Sequence, residues 1–353
     1  MVKIADIDKN FLVRTEFDTS NLTLYNVLEQ PFKIYGLLPP QDENDKFKRI
    51  PSEVAAKFKG GVETLYANTA GGRVRFKTNS SSFAVFATMG NTQCMPHMAF
   101  TGSVGFDLYV DNRYTKTFIP PWGGVPSNQS FCSLIDTYNT EPKNVTINFP
   151  LYSEVSSLII GLDKGAYVEA PVNYKYEKPI VYYGSSITQG GCASRPGNAY
   201  QAILTRQFDC NHINLGFSGS ARGEPAMSEY ISTLDMHAFV CDYDYNAPSA
   251  EHLEKTLQPF FDAIRAKHPT IPFVLVSAPT VYPTAATVKR FNIIKAVYDK
   301  AVNNGDNHVY LVNGSEMMRE FADDGATVDG CHPNDYGFVA MAKGIAKVLK
   351  EFL

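Results

Sequence analysis

Two short segments of the sequence carry residues that could act as a nucleophile and its base. The apolar run PIVYY (179–183) leads directly into GSSITQGG (184–191), and a helical pattern follows from about Asn198. A strand, a tight turn and a helix in succession expose a serine at the end of a sheet, where the helix dipole favours negative charge. Phosphate binding at this turn is disfavoured, because neither GxxxxGK(S/T) nor GxGxxG is present. A nucleophilic serine, Ser185 or Ser186, is the better hypothesis.

A serine nucleophile needs a base, and His332 is the best placed of the seven histidines. It lies in VDGCHPNDYGF (328–338), just before the last helical pattern of the chain. Asp329 precedes it by three residues, so one turn can bring the carboxylate to the imidazole. The carboxylate would then fix the tautomer of the ring and stabilise the imidazolium that forms during attack. We therefore expect His332 to be the general base and Asp329 to orient it.

The second half of the chain has the pattern of an α/β domain. Its apolar, strand-like runs are PIVYY (179–183), HINLGF (212–217), AFVCDY (238–243), PFVLVSA (272–278) and HVYLVN (308–313). Helical periodicity appears from Leu253 to Ile264 and from Phe338 to Phe352, where Asn334 or Asp335 could cap the last helix. Apolar strands between amphipathic helices predict a doubly wound parallel sheet that binds ligands at the carboxyl ends of its strands.

The first half reads as an all-β domain. Its strand-like runs are GGRVRFKT (71–78), SFAVFATM (82–89), FDLYVD (106–111) and NVTINFP (144–150), with one helical turn at SEVAAKF (52–58). Short strands separated by turn residues predict a sandwich or jelly roll. Because 353 residues exceed the roughly 250–300 residues of a single core, we expect two domains, 1–176 and 177–353. The segment that joins them (168–179) lacks the composition of a flexible linker, so the domains should pack firmly.

Composition excludes several classes of function. A net charge of −4 and a pI near 6.0 give no basic face for nucleic acid. No apolar run approaches the ~20 residues of a membrane helix. The N-terminus has no signal-peptide core, which favours a cytoplasmic protein unless a leader has been removed. The six cysteines form no CxxC pair, so we expect no metal site, although Cys192 and Cys331 flank the two segments above and could meet.

Four segments in order resemble the sequence blocks of the SGNH/GDSL hydrolases. GSSITQG resembles the GDS(L/I) block and DGCHP the terminal DxxH block, while NLGFSGSARGE (214–224) and VCDYDYNAP (240–248) resemble the second and third. GFDLY (105–109) is similar to the motif of a branch in which a GxDLY-type β domain precedes the hydrolase. The resemblance implies a flavodoxin-like hydrolase domain that needs no cofactor. It also implies that Ser186 is the nucleophile, and that the N–H groups of Ser186 and Gly219 and the amide of Asn246 form the oxyanion hole.

The sequence departs from the family pattern at two places. Ser185 stands where an aspartate is usual, so it remains a rival nucleophile, although the register Gly-x-Ser-Ile-Thr favours Ser186. The third block has Asp244-Tyr245-Asn246 where many relatives have a glycine before the asparagine. Alternatives therefore stay open for both predicted oxyanion donors. Gly219 could be a plain turn glycine, and Asn246 could cap a helix that begins near Pro248.

Three further residues are candidate substrate contacts. Arg195 and Tyr200 follow the nucleophile segment and could contact substrate or tie their loop to Glu224. Trp122, the only tryptophan, lies in FIPPWGGVP (118–126) and could stack on a sugar ring or pack between the domains. The resemblance implies hydrolysis of short acyl esters, and its branch implies O-deacetylation of oligo- or polysaccharides. A thioesterase or lysophospholipase with the same residues and a non-catalytic carbohydrate-binding protein are the alternatives, and the oligomeric state stays open.

Small residues surround the expected site. Gly184, Ser185, Gly190 and Gly191 lie near the nucleophile, and Ser218 to Ser220 include the oxyanion glycine. We expect them to line a compact acyl pocket that accepts acetyl groups and little more.

Overall fold

The chain folds into a β-rich N-terminal half and an α/β C-terminal half in the computed structural model, which describes residues 4–353. The strands of the first half are β1 (Leu22–Asn26), β2 (Lys33–Tyr35), β3 (Arg73–Thr78), β4 (Ser82–Met89), β5 (Phe106–Val110), β6 (Arg113–Phe118), β7 (Ser130–Asp136), β8 (Lys143–Asn148), β9 (Val155–Asp163) and β10 (Val168–Glu169). Its short helices are α1 (Ile4–Ile7), α2 (Ser52–Ala55), α3 (Gly61–Leu65) and α4 (Phe100–Ser103), with a 3-10 turn at Lys9–Phe11. The predicted strands and helical turn are all present.

The strands of the first half form two antiparallel sheets. One has the order β1-β9-β4-β7, and the other has the order β10-β3-β8-β5-β6, with β2 also paired to β3. Alternate side chains of both sheets meet in one core that includes Phe76, Phe83, Val85, Ile147 and Ile160. Two sheets that bury one face each against the other form a sandwich, so this part of the predicted fold class is confirmed.

The second half contains a parallel sheet with helices on both faces. Its strands are β11 (Tyr176–Gly184), β12 (Cys210–Gly216), β13 (Ala238–Asp242), β14 (Phe273–Val276) and β15 (Val309–Val312). Its helices are α5 (Ser186–Gln189), α6 (Tyr200–Phe208), α7 (Pro225–Ile231), α8 (Ala250–Lys267), α9 (Ala285–Asn303), α10 (Gly314–Phe321) and α11 (Asp335–Leu349), with 3-10 turns at Pro196–Asn198, Asp244–Asn246 and Asp324–Ala326.

The strand order of the parallel sheet is β12-β11-β13-β14-β15. Numbered within this half, the order is 2-1-3-4-5, which is the flavodoxin-like arrangement and confirms the predicted fold class. The chain reverses its direction of winding between β11 and β13, and such sheets bind ligands at that position. The segments that follow β11 and β13 are therefore the ones that should form the site.

The packing of strand β11 on both faces explains why its sequence is continuously apolar. Ile180 and Tyr182 pack on one face of the sheet with residues of α6, α10 and α11, whereas Val181 and Tyr183 pack on the other with residues of α7, α8 and α9. A strand covered on both faces buries every side chain, so it cannot alternate between apolar and polar residues.

The last helix carries the cap that its sequence predicts. The Asn334 side chain accepts the N–H of Gly337 at 3.1 Å, so Asn334 caps α11. Asp335 is not the cap, because its carboxylate instead accepts the backbone N–H of Ser194 at 2.8 Å. The start of α11 is thereby joined to the loop that follows the nucleophile segment.

Candidate active site

The two serines in the turn after β11 differ in their exposure to solvent. Ser185 is only 1% exposed, and its hydroxyl accepts the N–H of Ile187 at 3.2 Å as the cap of α5. Ser186 is the first residue of α5 and is partly exposed. The turn is tight, because a Cβ at Gly184 would lie 2.3 Å from the carbonyl oxygen of Asp242. Packing therefore holds Ser185 inward and leaves the Ser186 hydroxyl accessible.

The side chains of Ser186, His332 and Asp329 form a chain of hydrogen bonds. Ser186 Oγ lies 2.9 Å from Nε2 of His332, and Nδ1 of the same ring lies 2.7 Å from Oδ2 of Asp329. If Nδ1 carries the proton and donates it to the carboxylate, the lone pair of the neutral ring is on Nε2. That lone pair faces the serine hydroxyl, as proton abstraction requires.

The loop that carries His332 holds Asp329 as a carboxylate. Partial burial acts to raise the pKa of Asp329, but hydrogen bonds from the His332 N–H and imidazole and from the Cys331 N–H outweigh it and lower the pKa to about 2. The two backbone N–H groups lie 2.7 and 3.0 Å from Oδ1. One carboxylate oxygen thus shapes the loop, while the other meets the imidazole.

Two backbone N–H groups near the serine are available to a ligand. Within residues 4–353, the N–H groups of Ser186 and Gly219 have no hydrogen-bond acceptor. Gly219 has φ +65°, and nothing lies within 4 Å of the position that its Cβ would occupy. The guanidinium of Arg222 donates to the Gly219 carbonyl oxygen from Nη2 at 2.9 Å and fixes the orientation of this peptide.

Asn246 lies in the 3-10 turn after β13 and is partly exposed. Its Nδ2 donates to the carbonyl oxygen of Phe217 at 2.9 Å, which leaves the second amide hydrogen free for another acceptor. It does not cap a helix, because α8 begins at Ala250 with Ser249 as its cap. The amide therefore holds the segment that leads to Gly219.

Contacts from both halves of the chain hold the nucleophile helix. Gln189 Nε2 donates to the Leu151 carbonyl at 3.2 Å, and its Oε1 accepts the Ser218 N–H at 3.0 Å. The Tyr152 hydroxyl donates to the Ser186 carbonyl oxygen at 3.1 Å. Sequence reasoning missed Gln189, although it follows Ser186 by three residues on the same helix. It also missed Tyr152, for which a single sequence offers no signal.

At most of the glycines expected to line an acyl pocket, other residues of the protein occupy the space beside the glycine Cα. A Cβ at Gly190 would lie 2.9 Å from Leu151 Cδ1, and one at Gly191 would lie 2.8 Å from the Tyr152 hydroxyl. Gly184 is blocked in the same way by Asp242 and Thr188. The pocket prediction is wrong for these three residues. The small size of Gly190 and Gly191 allows the two halves to approach each other, and that of Gly184 allows close packing within the α/β half.

The predicted substrate contacts have different fates. Tyr200 is fully buried and packs against Phe338, so its prediction as a substrate contact is wrong. Arg195 does not reach Glu224. Its Nη1 donates to Asp107 Oδ2 at 3.0 Å, and its guanidinium lies 3.7 Å from the ring centre of Tyr114, so it joins the two halves of the chain.

Trp122 is 62% exposed, so of its two alternatives the one in which it packs between the domains is wrong. Its loop contacts the segment between β4 and α4. The Thr92 hydroxyl donates to the carbonyl oxygen of Val125 at 2.8 Å. An exposed indole on such a loop is free to meet a ligand.

Two buried carboxyl groups lie under the site. Burial, followed by the nearby charge of Asp244, raises the pKa of Asp242 well above its usual value, and Thr188 Oγ1 donates to Asp242 Oδ2 at 3.2 Å. Burial also raises the pKa of Asp244 to about 6, although the Ala278 N–H and Arg290 act to lower it. Burial therefore disfavours the charged form of Asp242 beneath the serine.

Cys192 and Cys331 are free thiols, buried and half-buried respectively. The segments that carry them do meet, because the Cys192 N–H donates to the Pro333 carbonyl oxygen at 2.9 Å. Among the described residues, His97, Asp329 and His332 have the types and proximity to hold a metal ion. Sequence reasoning missed His97, which lies in a loop of the first half without a recognisable motif.

A flavodoxin-like sheet with a serine, a histidine and an aspartate hydrogen-bonded at its carboxyl edge is an arrangement typical of α/β hydrolases. Residues 177–350 belong to the GDSL-like lipase/acylhydrolase family, whose model they match. Residues 22–168 match the model of the GxDLY region, the N-terminus of SGNH-hydrolase-type esterases, so the two-domain branch predicted from the sequence is confirmed.

Solved structures resemble the chain over nearly its whole length. A Bacteroides ovatus protein described as a GDSL-like lipase is 27% identical, with a TM-score of 0.80 over 94% of this chain and 98% of that one. The salicylyl-acyltransferase SsfX3 from a tetracycline biosynthetic pathway is 19% identical, with a TM-score of 0.78 over 95% and 98%. An active-site mutant of a family two carbohydrate esterase from Clostridium thermocellum is 14% identical, with a TM-score of 0.63 over 92% and 100%.

No curated protein sequence matches the chain. Within residues 4–353, no helix has both the length and the apolar character needed to cross a membrane.

Proposed function

We propose that the protein is a serine esterase in which Ser186 is the nucleophile, His332 the general base and Asp329 the residue that orients it. The observation that carries this proposal is the hydrogen-bond chain from Ser186 Oγ through His332 to Asp329, with separations of 2.9 and 2.7 Å. The partly exposed Ser186, in contrast to the buried Ser185, supports the assignment of the nucleophile.

The proposed reaction has two stages, acylation of Ser186 and hydrolysis of the acyl-serine, and His332 transfers a proton in both. Ser186 Oγ attacks the ester carbonyl carbon while His332 Nε2 takes the hydroxyl proton. The N–H groups of Ser186 and Gly219 and the free amide hydrogen of Asn246 stabilise the oxyanion. His332 then gives its proton to the departing alcohol oxygen, which leaves an acyl-serine. Water attacks this ester as His332 takes its proton, and the acid leaves as Ser186 regains the proton.

The proposed substrates are short acyl esters, most of all O-acetyl groups of oligo- or polysaccharides. The carbohydrate esterase among the structural neighbours supports this substrate class through its fold. The accessibility of the site supports it as well, because the His332 and Asp329 side chains are 24% and 36% exposed. An open site can receive a bulky saccharide without the movement of a lid.

The nucleophile is tested with p-nitrophenyl acetate on three variants. We expect Ser186→Ala and His332→Ala to lower kcat by at least about 10³-fold, because each removes a group that makes or breaks a bond. Ser185→Ala is the matched control. It removes a cap hydroxyl but no reacting group, so it should keep most of the activity. Activity that survives in Ser186→Ala and disappears in Ser185→Ala would shift the nucleophile by one residue.

The substrate class is tested with acetate, butyrate and octanoate esters of one alcohol. It is also tested with acetylated oligosaccharides, whose loss of acetyl groups is measured by mass spectrometry. We expect kcat/KM to fall as the acyl chain lengthens. A lipid or thioester hydrolase would instead gain up to about 0.8 kcal/mol for each methylene that it buries. A rise toward octanoate or acyl-CoA would favour a thioesterase or lysophospholipase. Binding of saccharides without any hydrolysis would favour a carbohydrate-binding protein.

A further inference from the structure

A second histidine lies against the predicted base. His97 belongs to the loop between β4 and α4 in the β-rich half, and its ring centre lies 5.7 Å from that of His332 with the planes at 52°. One ligand atom from each of His97, Asp329 and His332 can be chosen so that all three lie within 4.8 Å of one another. Two histidines and a carboxylate from opposite halves of the chain therefore converge on one accessible point.

We propose that these three residues form an inhibitory site for a zinc-class divalent cation. The inference rests on the proposed function, because it assigns His332 to catalysis. Imidazole nitrogen and carboxylate oxygen are common ligands of Zn²⁺, and three protein ligands leave a fourth position for water. The His97 imidazole is exposed, and within residues 4–353 it has no hydrogen-bond partner that a metal would have to displace.

The separations of the ligand atoms argue for an inhibitory cation over a resident one. Ligand atoms around a tetrahedral Zn²⁺ lie about 3.3 Å apart, given metal–ligand bonds of about 2.0–2.1 Å. Nδ1 of His332 and Oδ2 of Asp329 are only 2.7 Å apart, which is the distance at which they share a proton. The pair is arranged for proton transfer, and a cation must separate its members before it can bind both.

Inhibition follows whichever nitrogen of His332 the cation takes. The neutral ring has one lone pair, and the proposed mechanism uses it to accept the Ser186 proton. A cation on Nε2 occupies this lone pair directly. A cation on Nδ1 displaces the ring proton to Nε2, where it faces the serine and removes the acceptor. In both cases the base is lost while the fold is unchanged.

The first test is inhibition of ester hydrolysis. We expect micromolar Zn²⁺ to inhibit the wild type and a chelator to restore activity, whereas Mg²⁺ and Ca²⁺, which prefer all-oxygen sites, should have little effect. His97→Gln should keep its basal activity and need about tenfold more Zn²⁺ or higher for half-inhibition, since the loss of even an outer-shell partner costs 10–100-fold in metal affinity. The matched control is His308→Gln, an exposed histidine that precedes β15 at the opposite edge of the sheet. It should behave as the wild type.

The second test measures binding without catalysis. Zn²⁺ is titrated by calorimetry into Ser186→Ala, which keeps all three ligands, and into the double variant Ser186→Ala/His97→Gln. We expect one binding event in the first protein to weaken at least about tenfold in the second. Equal binding by these two proteins, or identical zinc inhibition of the wild type and His97→Gln, would overturn the inference. An inactive wild type that still shows His97-dependent binding would overturn the proposed function and leave the cation site standing.

Discussion

The two oxygens of Asp329 have separate tasks. Oδ1 accepts the N–H groups of Cys331 and His332, whereas Oδ2 accepts the imidazole Nδ1–H. Asp329→Asn can keep an acceptor for the backbone, but it can present an amide N–H to the ring and favour the wrong tautomer. We expect it to lower kcat for p-nitrophenyl acetate by less than His332→Ala, because the base is still present. An equal or larger loss in Asp329→Asn would contradict this division of roles.

The same carboxylate makes stability depend on pH. Its pKa is about 2 in the folded protein, because hydrogen bonds from His332 and Cys331 outweigh partial burial, against an ordinary value of 3.8. A depressed pKa stabilises the fold above the ordinary value, and this contribution is lost as the pH falls through about 2. We expect Asp329→Asn to lower the free energy of unfolding, measured with urea, by a constant amount above about pH 5 and by progressively less toward pH 2. A difference that grows on acidification would refute this account.

At the scale of single residues, local order predicts contacts only between residues that are close in the sequence. Asp329 and His332 share one loop, and their side chains are hydrogen-bonded as predicted. Local order did not distinguish Ser186 from Ser185, and the family resemblance made that choice.

Sequence reasoning failed for Tyr200, since burial depends on what packs over α6. It failed also for Gly190 and Gly191, whose neighbours Leu151 and Tyr152 lie more than thirty residues earlier in the chain.

At the scale of elements, strand β5 and the loop after the nucleophile form a buried polar contact between the halves. Asp107, within the GFDLY motif, is completely buried and accepts hydrogen bonds from Arg195, from the Gly197 N–H at 2.8 Å and from Asn148 at 2.7 Å. Burial raises the pKa of Asp107, and these partners oppose the rise. The motif therefore anchors the β-rich half to the loop that carries Arg195.

Arg195→Met should destabilise the protein strongly, because it leaves the Asp107 carboxylate buried without its cation. Such losses cost about 3–5 kcal/mol in the free energy of unfolding, measured by urea denaturation. Adding Asp107→Asn should recover part of the loss. The control Lys178→Met breaks an ion pair whose side chains are 62% and 75% exposed, and it should cost less than about 1 kcal/mol. Equal effects of Arg195→Met and Lys178→Met would show that the anchor contributes little.

The elements themselves were predictable, because apolar periodicity and turn residues act locally. The observed β4 spans the run 82–89, and the parallel strands lie within about three residues of their predicted bounds. The partner of Arg195 was not predictable, since Glu224 and Asp107 are equally acidic and only the docking of the two halves selects between them.

At the scale of the whole molecule, loops of the β-rich half lie beside the site that the α/β half builds. Tyr152 contacts the Ser186 carbonyl oxygen, and His97 lies against His332. Trp122 lies on a loop next to the segment that carries His97, where the Cβ position of Gly124 is 3.3 Å from Cys94 Sγ. These contacts join residues far apart in the sequence, so local pattern could predict two packed halves but not which loops reach the serine.

We expect the exposed indole of Trp122 to bind saccharide substrates and to make no contact with small esters. We expect Trp122→Ala to raise KM for acetylated oligosaccharides by about five- to tenfold, because a lost stacking contact is worth roughly 1 kcal/mol. Its kcat/KM for p-nitrophenyl acetate should be unchanged. Tyr138→Ala is the control, since this side chain is 87% exposed on another loop. Parallel losses on both substrates would assign Trp122 to stability, and no loss on either would place it outside the binding surface.

The central claim is that His332 activates Ser186 for covalent catalysis, and the site of reaction with a fluorophosphonate tests it most directly. This reagent phosphonylates an activated serine and releases fluoride, so peptide mapping by mass spectrometry locates the modified residue. We predict one label on Ser186 in the wild type and in Ser185→Ala, and a label lost or greatly slowed in His332→Ala. A label on Ser185, or labelling of Ser186 at an undiminished rate in His332→Ala, would contradict the claim.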